Sequence, residues 1–188
     1  MKEGEKVGKW TSNFDVEEFA DKYGENKTNP IVCKRMQEVY NYLSKTERGV
    51  SKVIITSGYR GMKETHDVKG AFIGDGHNCG IACDFIAYDK DGKQYSSDIL
   101  AAVAEYVYFG GIAIIDETAV HVDIRDEIPY FDKNGNQLFY WRGDERTGNN
   151  AVGEFKNLPK IVSRKTYSSQ IEIEGKTYIL NLIEKSGN

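Results

Sequence analysis

The sequence predicts a single α+β domain, a small and mostly antiparallel sheet with helices packed on one side, followed by a short appendage. Three observations point there. The chain has 188 residues, enough for one well-filled core and not comfortably for two. Capped helical segments lie at its start and middle. Runs of β-branched or alternating residues separate and follow them.

The first segment, NFDVEEFADKYG at 13–24, reads as a helix. Asp15 can cap it with Glu18 completing a capping box, Phe14 and Phe19 can form a hydrophobic staple, and Gly24 stops it. A second helix is expected over 29–45, where Asn29 caps, Pro30 takes the first position, and Ile31, Met36, Val39, Tyr40 and Leu43 form one stripe. Cys33 on this helix reads as a small packing residue. The run SKVIITSGYRG at 51–61 is a strand that breaks at Ser57-Gly58 and delivers Tyr59 and Arg60 to its end.

A loop to residue 76 leads into CGIACDFIAY, a second strand closed by the turn DKDGK. The stretch 96–111 is a helix capped by Ser96 or Ser97 and ended by Gly110. GIAIID and AVHVDIR are two strands joined by a short link around Glu117 and Thr118, and 130–141 is a hairpin about Asn134-Gly135. The chain then turns polar and glycine-bearing. Residues 1–142 are therefore expected as the main domain, 143–160 as a linker and 161–188 as a β-hairpin turning about Glu174-Gly175.

Charge excludes one class of partner. The net charge of -4, with both signs interspersed, does not suit a protein that neutralises phosphate, so no nucleic acid is expected. The amino terminus lacks the apolar run of a secretory signal, and no stretch approaches the roughly 20 apolar residues of a spanning helix. The chain is expected to be made in the cytoplasm, without membrane insertion. Three cysteines without a CxxC pair argue against disulfides and a cysteine-rich zinc knuckle.

Of the three histidines, His66 reads as a satisfied or solvated side chain rather than a ligand. His77 and His121 each come with a carboxylate at a useful spacing. Strand alternation from Gly80 puts Ala82 and Asp84 on one face and Ile81, Cys83 and Phe85 on the other. In AVHVDIR it puts Ala119, His121 and Asp123 on one face and Val120, Val122 and Ile124 toward the core. Two imidazoles and a carboxylate make the open three-ligand set of a catalytic zinc site, with a hydrogen-bonded His/Asp cluster on a sheet surface as the alternative. DKDGK and DKNGN lack the later glutamate of a calcium loop and read as turns, and no local signature supports a cysteine protease on Cys79 or Cys83.

The order SGYR, HNCGIACD and HVDIR resembles the zinc D-alanyl-D-alanine carboxypeptidases and L-alanyl-D-glutamate endopeptidases, a family that shares its fold with the hedgehog signalling domain. Ser57 to Arg60 match the first block, His77, Gly80, Ala82 and Asp84 the second, and His121 with Asp123 the third, over roughly residues 10 to 142. The resemblance implies a Zn2+ held by His77, Asp84 and His121. It implies that Arg60, with Tyr59 beside it, meets the substrate carboxylate or steadies the oxyanion. It also implies a peptidase, carboxypeptidase or endopeptidase, acting on peptidoglycan stem peptides.

The lack of a signal and the short tail fit a phage or prophage endolysin that degrades the cell wall after release. A zinc domain that binds cell-wall peptide or a protein partner without cutting is the rival. Two positions depart from the pattern. Thr118 stands where many members carry the catalytic acid, leaving Glu117, Asp116 and Asp123, in that order, as candidate general bases. Asp75 replaces a serine two residues before His77.

Overall fold

The computed structural model describes residues 10–160, except 70, 132–134 and 150, and the backbone of 166–173 and 176–183. Its elements are strands β1 Lys52–Ser57, β2 Ala82–Tyr88, β3 Gly111–Ile114, β4 Val120–Asp123, β5 Trp141–Asp144, β6 Thr166–Ile173 and β7 Lys176–Ile183. The helices are α1 Pro30–Ser44, α2 Met62–Asp67 and α3 Ser97–Tyr106.

The first five strands form one sheet in the order β1-β2-β4-β3-β5. All neighbours are antiparallel except β3 and β5, which run parallel. The result is a mixed fold of one five-stranded sheet and few helices, compatible with the α+β expectation. Among the described residues no helix is long and apolar enough to cross a membrane.

Alternation decides which face is covered. Cys83 and Phe85 of β2, Ile112 and Ile114 of β3, and Val120 and Val122 of β4 share one core cluster with Met36 and Leu43 of α1 and Leu100 and Val103 of α3. Truncating a fully buried side chain such as Phe85 to alanine costs about 3–5 kcal/mol in such a core. Cys33 is buried there as a packing residue, and burial pushes its thiol up to about 11. The other face carries Asp84, His121 and Asp123.

Helix α1 begins as its sequence signals dictate, with the Asn29 side chain accepting the Ile31 N–H at 3.0 Å and Pro30 in its first turn. The expected helix over 13–24 is a correction: only a 3-10 turn forms, Val16–Phe19. Asp15 N–H does reach Glu18 Oε1 at 2.8 Å, and the rings of Phe14 and Phe19 lie 5.9 Å apart. The turn stops because the Phe19 carbonyl accepts the Tyr59 N–H at 2.8 Å and the Thr28 hydroxyl at 3.3 Å, bonds a continuing helix would forbid.

Helix α3 ends before Gly110. The chain turns at Tyr108, with φ 64, where Arg35 Nη1 donates to the Tyr108 carbonyl at 2.6 Å. Ser96 is its N-cap in backbone geometry but makes no side-chain cap bond. The loop expected up to residue 76 contains α2, closed at its start by the Thr65 hydroxyl donating to the Gly61 carbonyl at 3.0 Å. His66 on α2 is exposed.

The turn DKDGK is tied by Asp89 Oδ1, which accepts the N–H groups of Asp91 at 3.1 Å and Lys93 at 2.8 Å. DKNGN falls partly outside the described residues, as does the tip at Asn134, but Phe131 and Gln137 bridge antiparallel on either side. Strand β5 spans residue 142, the expected end of the main domain, and Phe155 and Leu158 pack against the core. β6 and β7 pair antiparallel from Thr166↔Ile183 to Ile173↔Lys176, and the turn residues 174 and 175 lie outside the described residues.

Candidate metal centre

Strand register brings two of the candidate ligands together. β2 and β4 pair with Asp84 opposite His121 and Ala82 opposite Asp123, so the polar side chains of both strands emerge on the face away from the helices. His77 arrives from the turn before β2. Gly80 closes that turn at φ 71, and a side chain there would overlap the Lys27 carbonyl. The His77 carbonyl accepts the N–H of Gly80 at 3.0 Å and of Arg60 at 3.2 Å, which stitches the turn to the end of β1.

Three atoms converge. His121 Nδ1 lies 2.8 Å from Asp84 Oδ1, His77 Nε2 lies 3.2 Å from the same oxygen, and the two ring nitrogens are 3.1 Å apart. The far nitrogen of each ring points to an acceptor. His77 Nδ1 donates to the Gly58 carbonyl at 2.7 Å, and His121 Nε2 stands 3.5 Å from Asp123 Oδ2. With both rings neutral, those outer contacts hold the N–H groups and turn the lone pairs inward, beside a carboxylate oxygen. His77, Asp84 and His121 can thus hold a metal ion.

The field favours a cation. Burial works against a charged His121, yet its hydrogen bonds to Asp123 and Asp84 and the charge of both carboxylates raise it to about 9. Burial likewise opposes the Asp84 carboxylate, but His77 and His121 hold it well below the usual carboxylate range. Asp123 is also held low against its burial, by Arg125 and then by His121. In the metal-free protein a proton on His121 supplies the positive charge that a metal would otherwise bring.

Arg60 joins this group. Its Nη2 donates to Asp84 Oδ2 at 3.3 Å and its Nε to the Ser57 hydroxyl at 3.1 Å. Asp75, buried, stands 3.9 Å from Arg60 Nη1 and accepts the Asn78 N–H at 2.8 Å, so it braces both the turn and the arginine. Tyr59 is buried, its N–H on the Phe19 carbonyl and the Lys27 ammonium 6.0 Å over its ring.

The three acids proposed as bases are placed differently from one another. Asp116 Oδ1 closes the β3–β4 turn, accepting the N–H of Thr118 at 2.7 Å and of Ala119 at 2.8 Å. Glu117 gives its carbonyl to the Ser97 N–H at the start of α3, while its carboxylate, 84% exposed, is 3.6 Å from Arg146 Nη1. Asp123 is fully buried beside His121 and paired with Arg125.

Cys83 faces the core, and Cys79 Sγ is 3.4 Å from the Gly74 carbonyl. Sequence reasoning missed Arg125, although it closes the quoted HVDIR block, and also Gly111 and Trp141, whose ring meets His121 edge-on at 6.0 Å. Position in HVDIR could have drawn notice to Arg125 and the GG pair to Gly111, while no such signal marks Trp141. Comparison with protein-family models, curated proteins and solved structures returned no match.

Proposed function

We propose that this chain is a zinc-dependent peptidase that hydrolyses peptide bonds in the stem peptides of bacterial peptidoglycan, as a cell-wall lysin of the phage or prophage type. The observation that carries the reading is the convergence of His77 Nε2, His121 Nδ1 and Asp84 Oδ1 beside the Arg60 guanidinium. Tetrahedral zinc with bonds of about 2.0–2.1 Å separates its ligands by about 3.3 Å, close to the spacings of this trio. Two imidazoles and one carboxylate also suit zinc better than magnesium or calcium, which favour all-oxygen shells. The choice of stem peptide rests on the SGYR, HNCGIACD and HVDIR resemblance.

Zinc held by His77, Asp84 and His121 would supply Lewis acidity for hydrolysis near neutral pH. The chain's own residues supply the rest. Arg60, fixed by Ser57 and Asp84, places a cation where negative charge develops on the scissile carbonyl oxygen. Glu117 is the proposed proton acceptor, because its carboxylate is exposed and its ion pair with Arg146 is long.

A second reading has its own support. Asp116 is spent on a turn, Asp123 is paired with Arg125, and Glu117 faces Arg146, which suits a zinc domain that binds cell-wall peptide or a protein partner without cutting. Turbidity of a cell-wall suspension separates the two. Loss that stops on chelation and returns with zinc supports the peptidase, and no loss with the zinc-loaded chain leaves the binding domain.

A further inference from the structure

We infer that Asp123, seated over Gly111 and clamped by Arg125, is the positioning residue that sets His121 for the metal. The inference rests on the zinc reading above and assigns a role to residues that do not touch the metal.

Asp123 is 0% exposed, a placement a carboxylate tolerates only when fully paired. Arg125 does the pairing at a spacing of two residues. Its Nε donates to Asp123 Oδ1 at 2.8 Å and Oδ2 at 3.0 Å, its backbone N–H donates to Oδ1 at 3.0 Å, and its Nη2 meets Oδ2. The guanidinium is itself packed on aromatic rings, 4.9 Å from the centroid of Tyr130 and 5.1 Å from that of Trp141. Oδ2, which Arg125 Nε and Nη2 also meet, is the oxygen that faces the ligand, 3.5 Å from His121 Nε2.

The slot for this carboxylate exists because of Gly111. Gly111 pairs with Asp123 across β3 and β4, and a side chain on Gly111 would overlap both carboxylate oxygens. The Asp123 side chain therefore lies across its neighbouring strand, where it can meet both Arg125 and His121. A carboxylate oxygen held 3.5 Å from Nε2 favours the tautomer with its proton on Nε2 and its lone pair on Nδ1, the atom facing Asp84 and His77. A carboxylate so occupied is a poor proton acceptor for catalysis, which separates Asp123 from the role of general base.

The test is zinc affinity of the full chain, by competition with a chelator of known affinity, for the wild type, Asp123→Asn and Gly111→Ala. Asp123→Asn keeps the shape but turns an amide N–H toward either Arg125 or His121, and Gly111→Ala displaces the carboxylate with every ligand intact. Each folded variant is expected to bind zinc about 10–100-fold more weakly. Folded variants that match the wild type overturn the inference while leaving the zinc reading standing. A wild type that takes up no zinc sinks that reading and the inference with it. Should the variants not fold, nitrogen-15 NMR of the zinc-loaded wild type decides. A slowly exchanging proton on His121 Nε2 supports the inference, and a proton on Nδ1, or none protected on Nε2, overturns it.

Discussion

Asp84 and His121 face each other across the β2–β4 pairing, Oδ1 to Nδ1 at 2.8 Å. The candidate centre is therefore a property of strand register. A slip of β2 by one residue would turn Asp84 into the core and bring Cys83 out beside His121 in its place. His77 completes the group from a turn anchored to β1, so the trio depends on three separate segments holding position.

Arg60 has all three nitrogens near partners in this group. Replacing it with lysine keeps the charge but loses the fork that engages Ser57 and Asp84 together. Arg60→Lys is expected to lower stem-peptide hydrolysis by about 10²-fold, chiefly in kcat, with zinc content unchanged. Steady-state kinetics beside metal analysis checks it.

Glu117→Gln tests the proposed proton acceptor directly. If Glu117 accepts the proton, hydrolysis falls by roughly 10²–10⁴ while zinc remains bound. An unchanged rate removes Glu117 from the mechanism.

Metal-free stability should depend on pH in a defined way. His121 is raised from 6.5 to about 9, so its charged form contributes stability fully below pH 6.5, and that contribution is lost as pH rises toward 9. Asp84 and Asp123 are held below their ordinary value of 3.8, so their contribution is present above that value and disappears as pH falls through their lowered values. The Tm of the chelated protein is expected to fall on both sides, and saturating zinc should remove the alkaline fall because the metal requires the neutral ring. Melting curves across pH with and without zinc measure this directly.

Gly80→Ala tests the turn that carries His77. An alanine would have to adopt φ 71 and would collide with the Lys27 carbonyl. A loss of about 1–3 kcal/mol in urea unfolding is expected, with zinc affinity reduced as His77 shifts.

Much of this arrangement was legible in single residues. The period-two alternation that puts Asp84 and His121 on one face and Cys83 and Val122 on the other is local, and the pairing obeys it. What was hidden depends on distant partners. The segment 13–24 carries sound helix signals, but Phe19 gives its carbonyl to Tyr59, and no local pattern announces that bond.

β5 reads WRGD, with no strand alternation of its own. It is a strand because it lies parallel to β3 and because Arg142 donates to the carbonyls of Gly110 at 2.6 Å and Phe109 at 3.1 Å. The surroundings of Glu117 were equally illegible, since Arg146 lies in the polar stretch that reads as a linker. The Gly111 slot becomes visible only once β3 and β4 are paired.

We propose that His77, Asp84 and His121 hold a catalytic zinc. The most direct test is zinc stoichiometry of the wild type, His77→Ala and His121→Ala, measured beside release of cleaved stem peptide from purified peptidoglycan. One zinc and chelator-sensitive cleavage are expected for the wild type, and neither for the two variants. Stoichiometric zinc in both variants would contradict the ligand assignment, and a zinc-loaded wild type that releases nothing would contradict the peptidase.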